Sequence, residues 1–181
     1  MVTSGSVDRF IAGAVAAGAE VFRAPDARAA MAAAAGLFRD GKIGRVVAPP
    51  ALRREAEGTG LELQAAAGIA AIAAAEAALV RADYGAAETG TLVRLDQGDD
   101  EKLAWTLPPL CVCLLESHRI VADLQSLAGV LAEHLGRTGV PGPQVSFITG
   151  PSRTADIECQ LAIGVQGPAR LVIGLIGGEG A

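Results

Sequence analysis

The densest run of reactive side chains in this 181-residue chain is Ile148-Thr149-Gly150-Pro151-Ser152-Arg153-Thr154-Ala155-Asp156-Ile157-Glu158. Hydroxyls at Ser152 and Thr154 flank Arg153, and carboxylates follow at Asp156 and Glu158. A planar guanidinium beside two hydroxyls suits a carboxylate or phosphate, which it can hold through paired charge-assisted hydrogen bonds. The spacing predicts a strand ending at Ile148 or Thr149 and a helix beginning near Ser152. Pro151 directs the chain, Ser152 or Thr154 caps the first turn, and Asp156 suits the positive end of the helix dipole. Ile157 and Leu161, four apart, would seat that helix on a sheet. Cap chemistry leaves Arg153 over, because a cation in a first turn is disfavoured by roughly 0.3–1 kcal/mol. Two readings stand at this level. Arg153 belongs to an anion site at a helix start, or it is an internal clamp paired with Asp156 or Glu158.

A second cluster is Glu88-Thr89-Gly90-Thr91. Gly90 permits an unusual backbone angle, and the threonines can line a crevice at a strand junction. Glu88 has the chemistry of a general base or nucleophile. The plainer alternative is a β-bulge with a solvated carboxylate.

Other candidates lack a complete pattern. The glycines of GKIG and GLIGGEG form neither a dinucleotide fingerprint nor a P-loop. Cys111 and Cys113 share one face of a strand without the partner pair of a zinc or iron–sulfur site, and read as small packed hydrophobes. Cys159 has no histidine nearby in sequence to activate it. His118 reads as a loop residue and His134 as a helix-end residue.

The elements that must position these clusters are written in a chain that is 51% hydrophobic but 3% aromatic, with much alanine. Small side chains allow close helix–sheet contact. The net charge of −5 and a pI near 5.0, with no basic stripe, argue against nucleic acid as a partner. Three cysteines argue against a disulfide framework and point to a reducing, cytoplasmic setting. Residues 65–80 carry Glu76 and fall short of a membrane span. Residues 10–19 read as part of an amphipathic helix, with Phe10, Ala14, Val15, Gly18 and Phe22 at helical spacing, and not as a signal sequence.

Helical patterns are expected at about 6–21 and 26–39, the second with Asp26 as N-cap. A buried strand is expected within GKIGRVVAPP and a short helix within ALRREAEGTG. Residues 69–79 read as helix, followed by two extended runs broken at Gly85 and Gly90. Residues 97–102 read as a charged turn and LCVCLLE as a strand. The stretch 120–136 reads as an amphipathic helix with Ile120, Leu124, Leu127, Val130 or Leu131, and Leu135 on one face. Strands then recur at QVSFIT and ARLVIGLI. Strands alternating with helices, several of them continuously apolar, predict one α/β domain, with a helical N-terminal segment to about residue 39 and a core at about 41–176. Its sheet should be largely parallel and covered on both faces. The run ADYGAAETGTLV adds some antiparallel pairing.

Taken together, AETGTLV at 87–93, LPPLCVCLL at 107–115 and FITGPSRTADIE…GVQGP at 147–168 resemble the lactate utilisation protein C family, the LUD domain. The resemblance implies a three-layer α/β/α fold similar to glucosamine-phosphate isomerases, ribose-phosphate isomerases and CoA-transferases. It implies a role in oxidising L-lactate to pyruvate, with no cofactor in this chain and iron–sulfur clusters in partner subunits. It also implies a ligand site formed by Thr89, Gly90, Thr91, Gly150, Ser152, Arg153, Thr154, Asp156, Glu158 and Gln166, with Glu88 as the candidate reactive group. The ligand would be a small carboxylate or phosphate. Family members usually read GVHGP, whereas Gln166 here can hydrogen-bond but cannot titrate. Fold analogy carries a second possibility, a stand-alone enzyme acting on a CoA ester, a sugar phosphate or a folate-like substrate.

Overall fold

The computed structural model describes residues 4–95, 98–138, 144–155, 161–164 and 167–177. Helix α1 (Ser4–Ala16) leads into strand β1 (Glu20–Ala24), and α2 (Ala27–Asp40) leads into β2 (Val46–Ala48). Then follow α3 (Pro50–Glu55), β3 (Gln64–Ala65), α4 (Ile69–Ala73), β4 (Ala77–Arg81), β5 (Tyr84–Ala86) and β6 (Thr91–Leu95). The second half runs α5 (Asp99–Thr106), β7 (Leu110–Glu116), β8 (Ile120–Val121), α6 (Leu124–Thr138), β9 (Val145–Ile148), β10 (Arg153–Ala155), β11 (Leu161–Ile163) and β12 (Arg170–Ile176).

Six strands pair in the order β1-β12-β7-β4-β2-β3, every pair parallel. Side chains alternate across a strand, and β7 shows how the two faces are filled. Cys111, Cys113 and Leu115 share a core with Phe10 and Ala14 of α1, Ile72 of α4 and Trp105 of α5. Leu110, Val112 and Leu114 share the other core with Met31, Ala34 and Phe38 of α2 and Leu52 of α3. Burial on both faces explains why β7 is apolar without alternation. This is the expected three-layer α/β/α arrangement with a parallel sheet.

A smaller sheet, ordered β8-β5-β6-β9, packs on the α1 side. Its Leu92 and Ile120 enter the core that holds Phe10, while Ala86 and Val93 meet Leu127 of α6 on the opposite face. The antiparallel β5–β6 pair agrees with the pairing expected of ADYGAAETGTLV.

Local signals hold well where caps are explicit. Asp26 accepts a hydrogen bond from Ala29 N at 2.7 Å, the N-cap expected for α2. Elsewhere pairing at a distance overrides pattern. The first helix stops at Ala16 because Gly18, at φ +94°, closes a Schellman turn in which Gly18 N donates to Val15 O and Ala19 N to Ala14 O. Phe22 therefore lies in β1, a strand that pairs with β12. The pattern over 69–79 divides into α4 and the buried strand β4. The expected turn at 97–102 falls largely in α5, whose first turn holds Asp99, Asp100 and Glu101 at the dipole's positive end. Ile120 leaves the expected helix for β8, and Leu124 and Leu135 are exposed on α6 while Leu127 is buried.

Candidate functional site

Antiparallel pairing of β6 with β9, Leu92 opposite Ile148, brings the two polar clusters to one place. Just beyond that pair, the Oγ1 atoms of Thr91 and Thr149 lie 2.7 Å apart, and Thr91 Oγ1 lies 2.6 Å from Thr89 Oγ1. Thr91 is buried and Thr149 exposed. Three hydroxyls thus form a chain, with the buried Thr91 between half-buried Thr89 and exposed Thr149, joining residues 58 positions apart in sequence.

The chain of hydroxyls lies against the C-terminal half of α1, and glycines make the approach possible. Gly90 has φ +66°, and a methyl group built on it would stand 2.0 Å from Ala14 N. Gly150 has φ +74°, and a methyl group there would stand 2.3 Å from Ala17 O. Both need glycine for backbone angle and for space. The expected unusual angle at Gly90 is present, and its use is to seat the Glu88–Thr91 turn directly on helix backbone.

The helix expected from Ser152 does not form over the described residues. Arg153–Ala155 is strand β10, paired with β11 as Arg153 to Ile163, Thr154 to Ala162 and Ala155 to Leu161. Ser152 extends this ladder: its N–H donates to Pro168 O at 2.9 Å, and its carbonyl accepts from Gly164 N at 3.1 Å. The cap signals at Ser152 and Thr154 are local and weak, and hydroxyl and β-branched residues serve equally well in a strand. The Ser152 N–H is therefore spent within the fold, and no first-turn platform stands behind Arg153.

Arg153 instead reaches the end of α1. A methyl group built on Gly18 would stand 2.0 Å from one terminal guanidinium nitrogen. The cation, which would oppose the dipole at a helix start, here lies at a helix C-terminus, where the dipole favours it. Its side chain is exposed and meets the Gly18 position together with the half-buried Pro151. Asp156, Glu158, Gln166 and Cys159 lie outside the described residues, as does the side chain of Thr154, and with them the clamp between Arg153 and Asp156 or Glu158.

Glu88 points away from this surface. Its Oε2 accepts from Leu124 N, the first residue of α6, at 3.1 Å. Asp123 accepts from Ser126 N at 2.7 Å, and hydrogen bonds from Ser126, side chain and backbone, hold its carboxyl below the usual range. Two carboxylates thus satisfy N–H groups at the start of α6. Replacing Glu88 with Ala should cost about 0.5–2 kcal/mol, and Glu88→Gln less, since glutamine retains an acceptor oxygen. Urea midpoints at unchanged slope check this; equal stability of wild type and Glu88→Ala would show the cap to be idle.

Cys111 and Cys113 are fully buried in the sheet, and burial pushes the Cys111 thiol up to about 12 and Cys113 upward as well. They act as small core residues, as expected. Among the described residues, no group of three or more His, Cys, Asp or Glu side chains is arranged to hold a metal ion. No helix among them is long and apolar enough to cross a membrane.

Two polar groupings escape sequence reasoning because no motif marks them. Arg94 donates to both oxygens of Asp83 at 2.7 Å and to Glu101 at 2.8 Å, and Asp83 also accepts from Leu95 N. Burial works against the Arg94 charge, but Glu101 and Asp83 outweigh it and raise its pKa. This network ties the small sheet to α5. Arg119 lies over the Tyr84 ring, 5.4 Å from its centroid, and donates to its hydroxyl at 3.2 Å. Alternation at Tyr84 and the polar step Ser117–Arg119 were the available hints.

A family model described as the LUD domain matches residues 7–176. Lactate utilization protein C of Geobacillus kaustophilus (strain HTA426) is 32% identical over 88 residues, which is 49% of this chain and 37% of that protein. The protein of the same name from Anoxybacillus flavithermus (strain DSM 21510 / WK1) is 38% identical over 88 residues, 49% of this chain and 38% of that protein. The matches thus span less than two-fifths of these relatives' own length. The crystal structure of a DUF162 family protein from Deinococcus radiodurans superposes with a TM-score of 0.74 at 18% identity, covering 98% of this chain and 100% of that one. At that identity the likeness speaks for the fold.

Proposed function

This chain belongs to the LUD domain family, and from that premise we propose that it is a cytoplasmic component of a system that oxidises L-lactate to pyruvate. In this reading it binds a small carboxylate beside iron–sulfur partner subunits and leaves electron transfer to them. The observation that carries the reading is the chain of hydroxyls Thr89–Thr91–Thr149, which unites both family motifs against the same end of α1 that the exposed guanidinium of Arg153 reaches. Hydroxyls and one cation suit a 2-hydroxy or 2-oxo acid, whose carboxylate and neighbouring oxygen present acceptors together. The names of the relatives support the pathway.

Thermal melts with and without L-lactate or pyruvate test the reading. A ligand at about 100 times its dissociation constant adds roughly 2.7 kcal/mol, or roughly 5–11 °C for a chain of this size. The wild type should show the rise and Arg153→Ala should not. No rise with either acid, or the same rise in Arg153→Ala, would sink this site. The partner subunits are tested by purifying the tagged chain from its own cells and assaying the eluate for iron and acid-labile sulfide. An eluate free of both would count against the assembly.

A further inference from the structure

We propose that a cleft at the carboxyl ends of β4 and β7, separate from the motif surface, is a binding site for an organic monocarboxylate. The cleft has a volume of about 340 Å³, at the small end of ligand pockets. Tyr84 follows β4 and His118 and Arg119 follow β7, the two central neighbours of the parallel sheet. The space beyond the carboxyl ends of such strands is where open α/β sheets hold ligands. Ile120, Val121 and Ala122 form the apolar part of the wall.

The polar groups select the ligand's charge. Arg119 belongs to none of the ion pairs found among the described residues. Its guanidinium is oriented by the Tyr84 ring and by its hydrogen bond to the Tyr84 hydroxyl. Because that hydroxyl accepts from Arg119, its own hydrogen is left to donate into the cleft. Arg119 N–H groups and the Tyr84 O–H together match the two oxygens of one carboxylate. Ser126 adds no donor, since its hydroxyl and N–H both serve Asp123. Asp123 in turn has Arg9 near it. Asp123 and Glu88 are both engaged with N–H groups at the start of α6, and Arg119 is the arginine of the cleft wall itself. One positive charge beside an apolar wall fits a monoanion with a hydrocarbon body better than a phosphate dianion.

The inference stands apart from the proposed function, because it rests on the cleft alone. Titration of the ¹⁵N-labelled chain with benzoate, 2-oxobutyrate, L-lactate and inorganic phosphate tests it. Benzoate or 2-oxobutyrate should shift the amides of Tyr84 and of residues 118–122 saturably, and more tightly than phosphate. Arg119→Gln should weaken this by roughly tenfold or more, Arg119→Lys by less, and Arg153→Ala should leave it unchanged. Both Arg119 variants change an exposed side chain, and a thermal melt checks that they fold. If benzoate seats here while the melts show no rise with L-lactate or pyruvate, the site stands and the lactate reading falls. Shifts centred elsewhere, no saturable shift with any carboxylate, tighter binding of phosphate, or undiminished affinity in Arg119→Gln would each overturn the proposal.

Discussion

Replacing Gly90 with alanine is expected to lower the melting temperature by roughly 4–20 °C. Two costs combine. An alanine held at φ +66° carries a left-handed backbone penalty of about 1–2 kcal/mol. Its methyl group would stand 2.0 Å from Ala14 N and 2.4 Å from Gly13 C, and these are backbone atoms that no rotamer change can move. Relieving such a clash by shifting an element costs typically 1–3 kcal/mol, and each kcal/mol is worth roughly 2–4 °C at this chain length. Gly13→Ala is the informative companion. Its methyl group would face Gly90 N at 2.7 Å, yet alanine gains up to about 1 kcal/mol over glycine in a helix interior. Gly13→Ala should therefore be the milder of the two. A Gly90→Ala protein that melts with the wild type would mean that the Glu88–Thr91 turn does not rest on α1.

Phe10→Ala should destabilise by about 3–5 kcal/mol, or roughly 6–20 °C. Phe10 is 0% exposed and lies where three elements meet. A methyl group built on Gly85 of β5 would touch both the Phe10 ring and Leu115 Cδ2 at 2.8 Å, so α1, the small sheet and β7 converge on this one ring. Removing it leaves a cavity that these elements cannot close without separating α1 from the motif-bearing turn. Val15→Ala, on the exposed side of the same helix, should stay within about 0.5 kcal/mol. Differential scanning calorimetry of the pair decides the matter; equal losses would mean that the Phe10 ring carries no special share of the packing of α1.

Both substitutions act through the contact between α1 and its neighbours and not through a reactive side chain, which shows how the site was legible and how it was not. That Glu88–Thr91 and Thr149–Arg153 belong together could be suspected from their unusual composition. Which atoms meet could not. The Thr91–Thr149 contact depends on the β6–β9 register, and a shift of one residue would turn Thr91 to the other face. Glu88 looked reactive because a carboxylate beside glycine and threonine is unusual, yet its oxygen serves α6, an element 36 positions away. Nothing near Glu88 in sequence announces that partner.

What the sequence determined by itself was set by short-range chemistry and by composition. Apolar runs such as LCVCLLE require burial on both faces and so a covered parallel sheet. Asp26 marked the start of α2 because a cap is satisfied within three residues. The glycine-rich, hydroxyl-rich motifs marked the family. Only the tertiary structure decided whether SRTA would begin a helix or lie in a ladder. Ser152 and Thr154 are competent for both, and the bonds to Pro168, Gly164 and the β11 strand tipped the balance. The same holds for Arg153, whose charge would oppose one helix dipole and instead complements the end of α1. It holds for Arg119 and Tyr84, which follow different strands and meet only because β4 and β7 are neighbours. Short-range preferences are worth a few tenths to about one kcal/mol per residue, so any set of long-range hydrogen bonds and buried contacts can overrule them.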